Sequence, residues 1–198
     1  SVLLEKAKNN GCITVVNTVF DFRSEKADPS RKWPLGKDDR SYGYIDLLIM
    51  DREEALRLSG ENSIDDAVTY FESLKVSSII VTNGPRNITL LSDGRLFAHT
   101  RRMELPASAR VIDELKQSGG GDTTGCGDNF AGGVIASLVN QMIRGTPQPD
   151  LVEACCWGIV SGGFACFYIG GTYFEEYEGE KLSRMKPYYD SYKEQISG

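Results

Sequence analysis

Residues 119–133 read GGGDTTGCGDNFAGG, and the next five, Val134, Ile135, Ala136, Ser137 and Leu138, are good helix formers in context. A glycine-rich turn that opens a helix presents unpaired backbone N–H groups at the positive end of the helix dipole. A phosphoryl group in transfer needs that environment, so the loop is a candidate anion hole. Gly125 and Gly127 permit backbone angles that aim successive amides, that of Cys126 among them, at one cluster of oxygens. Asp128, at the helix entrance, brings a carboxylate to the same spot. The plainer alternative makes Asp128 an ordinary N-cap and the glycines a tight turn. A cap, however, requires neither the spaced glycines before Asp128 nor Gly132 and Gly133 after it. The segment is neither G-x-x-x-x-G-K-S/T nor G-x-G-x-x-G after a strand, so Walker-type and dinucleotide sites are disfavoured.

Such a loop works only if regular elements hold it. Residues 11–16 form a β-branched run after a helix-like N-terminal segment and read as a buried strand. The polar stretch 23–42, with Pro29, Pro34 and Gly36, reads as a long loop. Residues 45–50 are a second apolar run, followed by an acidic, Leu-spaced segment 51–58 that reads as a short helix closed by Gly60. Ser63 and Asp66 resemble a capping box for a helix over 64–74, after which 77–82 is again strand-like. Segments 87–91 and 95–100 flank Ser92-Asp93-Gly94, a hairpin signal that adds antiparallel strands. A charged segment then reaches Gln117, and helices follow near 130–143, 151–168 and 181–196. Alternating strands and helices followed by helices predict a three-layer α/β/α sandwich around a mostly parallel sheet, built as one domain over 1–198.

Composition limits the partners. The chain has 198 residues, 40% of them apolar, enough for one substantial core, and a formal charge of -6 without a basic stripe. Nucleic-acid binding is disfavoured, and no apolar run is long enough for a membrane span. Five cysteines without a C-x-x-C pair suggest neither a disulfide framework nor a zinc site, and a reducing cytoplasm fits best. Cys155, Cys156 and Cys166 read as packing residues in helices, whereas Cys126 has unusual neighbours. The lone His99 excludes a multi-histidine metal site.

Three landmarks in order carry a resemblance. Asp122-Thr123-Thr124-Gly125-Cys126-Gly127-Asp128 resembles the D-T-x-G-A-G-D signature of ribokinase-like (PfkB) carbohydrate kinases, with cysteine in place of alanine. Asp51-Arg52-Glu53-Glu54 resembles the family's N-x-x-E motif after a strand, and Val81-Thr82-Asn83-Gly84 its T-x-G turn. The resemblance implies that Asp128 is the base on the substrate hydroxyl and that the amides of Gly125, Cys126 and Gly127 stabilise the transferred phosphoryl group. It implies ATP and Mg2+ as cofactors, with Thr82, Asn83, Gly84, Arg86, Thr124 and Gly170 at the nucleotide and Asp51 and Glu54 acting on the metal through water. It also allows a monovalent cation near Asp122, a sugar-like small-molecule substrate and a homodimer of a longer form. The chain resembles the C-terminal two-thirds of such kinases, without their first strands and lid.

Several features depart from that pattern. Asp51 stands where asparagine is usual, and Asn87 where a second glycine is common. Residues 113–121 make a polar, flexible approach to the signature, and residues 17–23 match only in part. The leading expectation is an ATP-dependent kinase acting on a hydroxyl of a sugar or related molecule. The alternatives are a nucleoside or vitamin-precursor kinase of the same fold, or a catalytically silent nucleotide-binding module. A Rossmann dehydrogenase fits poorly, because the early glycine fingerprint is absent.

Overall fold

The computed structural model describes residues 2–197. Ser1, from which the N-terminal segment was read, and Gly198 lie outside the described residues. The chain divides into two compact units, Ser1–Gly84 with Ile88–Glu104, and Pro85–Asn87 with Leu105–Gly198.

The first unit contains helix α1 (Val2–Asn9), strand β1 (Val15–Asn17), helix α2 (Phe22–Ala27), strand β2 (Leu47–Asp51), helices α3 (Arg52–Ser59) and α4 (Ile64–Ser73), and strands β3 (Ser78–Thr82) and β4 (Asn87–Ser92). Strand β5 (Thr100–Pro106) begins in it. The sheet order is β1-β2-β3-β4-β5. β1, β2 and β3 run parallel, with Val15 beside Leu47 and Asp51 beside Thr82, and β4 is antiparallel to β3. The sheet is therefore mixed, as expected of a parallel core with an antiparallel side.

The near-continuous apolar runs of β2 and β3 follow from burial on both faces. Leu48, Met50, Ile79, Val81 and Leu91 pack on one face against Ala55 and Leu58 of α3 and Ala67, Val68 and Phe71 of α4. The alternate residues Leu47, Ile49 and Ile80 are at most 2% exposed on the other face. Each fully buried side chain of this size contributes about 1.5–3 kcal/mol, so the cluster is a substantial part of the fold's stability. β5 is mostly exposed and carries Arg101, Arg102 and Glu104, charges that blunt a strand edge.

The turn chemistry of the first unit largely agrees with its sequence. Gly60 ends α3 with φ of 78°, and Ser63 Oγ accepts from the Asp66 N–H. Asp66 does not complete a capping box, because its carboxylate accepts from the Ser63 hydroxyl at 2.6 Å. Two expectations need correction. The supposed loop 23–42 contains most of α2, capped by Asp21, and buries Trp33 and Tyr42 to 2% and 1% exposure. Those aromatics join the core and give the segment the apolar anchorage its polar composition hid. The partner expected for β4 over 95–100 is not a strand; β5 starts at Thr100. His99 Nδ1 lies 3.0 Å from the Ser92 carbonyl, a local contact that shapes this connection.

The second unit contains α5 (Ala109–Gln117), α6 (Cys126–Ile143), α7 (Leu151–Ala165) and α8 (Glu180–Ser197). α5 occupies the charged segment in which no element was anticipated, and so takes in 113–117 of the supposedly flexible approach. Its cap is Ser108, which accepts from the Val111 N–H, and only Val111 of its residues is buried. α6 and α7 approach at glycine. A methyl group at Gly158 would meet a Val134 methyl at 2.6 Å and the Phe130 carbonyl at 3.0 Å. One at Gly133 would meet Ser161 Cβ and the Trp157 carbonyl, both at 2.8 Å. Gly133 therefore serves helix packing. Tyr189 stacks on Trp157 with centroids 4.1 Å apart, and the Tyr192 hydroxyl donates to the Pro106 carbonyl at 2.7 Å. These tyrosines are packing residues.

Candidate active site

In the second unit the glycine-rich segment enters α6 through Gly125. Gly125 is the N-cap, sits in the left-handed region at φ of 72°, and gives the helix no side-chain cap. The helix start thus has what a phosphoryl site needs, first-turn amides not covered by a Ser, Thr or Asp side chain. Asp128 is the third residue of α6, exposed, and not its cap. The plainer alternative for Asp128 therefore does not describe the geometry. The amide of Cys126 donates to the Thr123 carbonyl at 3.2 Å, while the Cys126 sulfur lies against its own and the Gly127 N–H.

Two side chains brace this loop against the turn after α7. Asp122 accepts from the Gly170 N–H at 2.6 Å and from the Thr124 N–H at 2.9 Å. The Gly170 bond is the largest cause holding the Asp122 carboxyl below its ordinary value. Asn129 donates to the Gly125 carbonyl at 3.0 Å and to the Gly171 carbonyl at 2.9 Å, and its own oxygen accepts from Lys181 at 2.8 Å. A methyl at Gly171 would collide with the Thr124 carbonyl, so the two backbones touch. The structure thereby gathers Thr124, Gly125, Cys126, Gly127, Asp128 and Gly170 into one constellation. Arg86, in the same unit, is exposed and accepts from the Ala107 N–H through its carbonyl.

The first unit holds the remaining candidates at the C-terminal ends of adjacent parallel strands, where folds of this kind place ligands. Asp51 ends β2 beside Thr82, which ends β3, and Asn83 and Gly84 follow. Asp51 and Glu54 form a full capping box: Asp51 accepts from the Glu54 N–H at 2.8 Å, and Glu54 from the Asp51 N–H at 3.0 Å. Glu54 is 6% exposed and also accepts from the Thr18 hydroxyl at 2.6 Å. The cap is thus realised, and the carboxylates already have structural duties. Among the described residues no three His, Cys, Asp or Glu side chains converge on a point where a metal would sit. A metal held directly by side chains does not fit. Of the two carboxylates, Asp51 is exposed and Glu54 is buried.

Sequence reasoning missed Asn129, Lys181 and Thr18. Asn129 had a local signal, since it lies one helical turn beyond Gly125. Gly171 and Lys181 are 42 or more residues away from it, and nothing local couples them to the loop.

Comparison with known proteins bears on this geometry. A family model described as pfkB family carbohydrate kinase matches residues 4–176. A ribokinase from Thermotoga maritima superposes with a TM-score of 0.59 at 18% identity, over 99% of this chain and 52% of its own. A fructokinase from Vibrio cholerae O395, solved in its fructose, ADP and calcium ion bound form, gives 0.63 at 18% identity, over 86% and 49%. An adenosine kinase from Schistosoma mansoni in complex with 2-fluoroadenosine gives 0.64 at 16% identity, over 88% and 47%. At these identities the likeness is one of fold, and the chain spans about half the length of the solved structures it matches.

Proposed function

The chain belongs to the pfkB family of carbohydrate kinases, and from that membership we propose that it transfers the terminal phosphoryl group of ATP to a hydroxyl of a sugar or related small molecule. The observation that carries the reading is the start of α6, with Gly125 left-handed, no side-chain cap, and Asp128 exposed in the first turn. Phosphoryl transfer asks little covalent chemistry of the protein. It needs the groups positioned, the developing charge neutralised, and one acceptor for the hydroxyl proton. Asp128 takes that proton. The first-turn amides of Gly125, Cys126 and Gly127, with the helix dipole behind them, face the equatorial oxygens. The Cys126 amide exchanges its bond to Thr123 for the phosphoryl oxygen.

The bracing by Asp122 and Asn129 supports preorganisation, since loop amides that are already fixed need little reorganisation when charge develops. Thr124, Gly170 and Arg86 are proposed for the nucleotide in this unit, and Thr82, Asn83 and Gly84 as nucleotide-binding residues of the first unit. Magnesium would come with the nucleotide and shield phosphate charge, and Asp51 and Glu54 would act on it through water. Asp122 has given its carboxylate to two backbone N–H groups, which leaves a monovalent cation weakly supported there. A single catalytic domain over residues 1–198 and a cytoplasmic location are part of the proposal. Among the described residues no helix is long and apolar enough to cross a membrane. A nucleoside in place of a sugar is a second reading, favoured by an adenosine kinase matching as well as the fructokinase, 0.64 against 0.63.

The test is ADP release with MgATP across a panel of sugars and nucleosides, with Asp128→Asn alongside. Substrate-dependent release that falls by about 10²–10⁴ in the variant, with ATP binding retained, is the expected result. Bound ATP without turnover on any substrate would replace the kinase with a silent nucleotide-binding module.

A further inference from the structure

Cys126 and Cys166 stand apart from the other thiols. Cys126 opens α6 in the phosphoryl loop, and Cys166 is the C-cap of α7. Both are anchored on Gly162. A methyl at Gly162 would meet the Cys126 carbonyl at 2.9 Å, and Cys166 Sγ lies 3.5 Å from the Gly162 carbonyl. The Cys166 carbonyl also accepts from the Asp122 N–H at 3.1 Å, so its backbone is bonded to the start of the loop. Cys166 is the largest influence on the Cys126 thiol, so the two side chains are neighbours, and both are half-buried. Cys155 and Cys156 are fully buried, and Cys12, exposed, is in the first unit.

We propose that Cys126 and Cys166 form a peroxide-sensitive thiol pair that closes to a disulfide and so disarms the phosphoryl loop. The second half of this statement rests on the kinase reading above; the first does not. The Cys126 sulfur attacks one peroxide oxygen, an S–O bond forms as the O–O bond breaks, and hydroxide leaves and is protonated to water. The Cys166 sulfur then attacks the sulfenic sulfur of Cys126, an S–S bond forms as the S–O bond breaks, and a second water leaves with the Cys166 proton. Two thiols lose two electrons and the peroxide gains them. A dithiol reverses the change by exchange.

Electrostatics favours Cys126 as the attacking sulfur. Its thiol is lowered to about 7, chiefly by the neighbouring Cys166 thiol, with the Gly127 and Cys126 N–H groups assisting and burial and Asp128 opposing. Cys166 is pushed well up by the same pairing and by burial, as befits the resolving thiol. Burial raises the Cys155 thiol and lifts that of Cys156 to about 11, which makes them slow competitors. A disulfide requires the sulfurs about 2.05 Å apart, nearer than unbonded thiols approach, so closure draws the first turn of α6 towards the end of α7. Misplacement of positioning groups by about 1 Å is enough to lower turnover by about 10².

The test treats the intact chain with stoichiometric hydrogen peroxide, alkylates the remaining thiols, and maps peptides by mass spectrometry. Chymotryptic cuts after Trp157 and Phe164 separate Cys166 from Cys155 and Cys156. The expected product joins Cys126 to Cys166 and reopens with dithiothreitol. Alkylation of both residues after peroxide, or a link from Cys126 to any other cysteine, overturns the pair. Cys166→Ser should turn over normally in reducing buffer, and after peroxide should carry a dimedone-trappable sulfenic acid at Cys126 without a link. Full turnover of the linked protein overturns the disarming step. A linked protein whose reduced form phosphorylates nothing instead refutes the kinase reading and leaves the thiol pair standing.

Discussion

At the scale of single residues, the site is held by side chains that do no chemistry themselves. Asp122 accepts from Gly170 and Thr124, and these bonds hold its carboxyl below the ordinary 3.8. A carboxyl whose folded value is depressed contributes stability that is complete above its unfolded value and lost as pH falls through the folded one. The loop should therefore be fully braced at and above about pH 4 and should loosen only in stronger acid. Amide resonances of Thr124 and Gly170, followed by NMR, should move together with a midpoint below 3.8. A midpoint at or above that value would mean that Asp122 does not hold the turn. Asn129 has no such titration, and its bonds to Gly125 and Gly171 persist in acid.

At the scale of elements, the position of the α6 N-terminus depends on how closely α7 packs against the helix. Gly158 has no room for a methyl, with Val134 at 2.6 Å and the Phe130 carbonyl at 3.0 Å. Gly158→Ala must push the helices apart, an overpacking that costs about 1–3 kcal/mol, even though alanine has the higher helix propensity. Urea unfolding should give a lower midpoint with an unchanged slope. An increase in stability would show that propensity outweighs packing here. The contact also accounts for the weak amphipathic signal of these helices. α7 buries residues all round, among them Leu151, Ala154, Cys155, Val160 and Phe164, so its pattern is uniform. α5 went unrecognised for the opposite reason: ARVIDELKQ is largely charged and buries only Val111.

At the scale of the whole molecule, the two compact units separate the candidate residues: Asp51, Glu54, Thr82, Asn83 and Gly84 in one, and Arg86, Thr124, Gly125, Cys126, Gly127, Asp128 and Gly170 in the other. A ligand that binds only the folded form stabilises it by about 2.7 kcal/mol at a hundredfold excess over its Kd. For a protein of this size, that shifts the melting midpoint by roughly 5–10 °C. Calorimetry with ADP should show this shift. Should the units melt separately, the transition that includes α6 should move. A ligand-independent midpoint, with ADP bound by dialysis, would place nucleotide binding outside the native state assumed here.

Some of this could be read from the chain alone, because its signal is local. A glycine-rich segment ahead of a helix, an acidic residue in its first turn, apolar runs at β2 and β3, and Gly60 after α3 each follow from backbone preference or from periodicity over a few residues. The tertiary structure decided what depends on distant partners. It turned Trp33 and Tyr42 of a supposed loop into core and placed the second hairpin strand at Thr100. It showed Gly133 to be a packing residue. It also brought the turn at 170–171 and Cys166 to the glycine-rich loop. The physical reason is range: hydrogen bonds and close contacts across some forty residues are set by which backbones approach, and no local pattern records that.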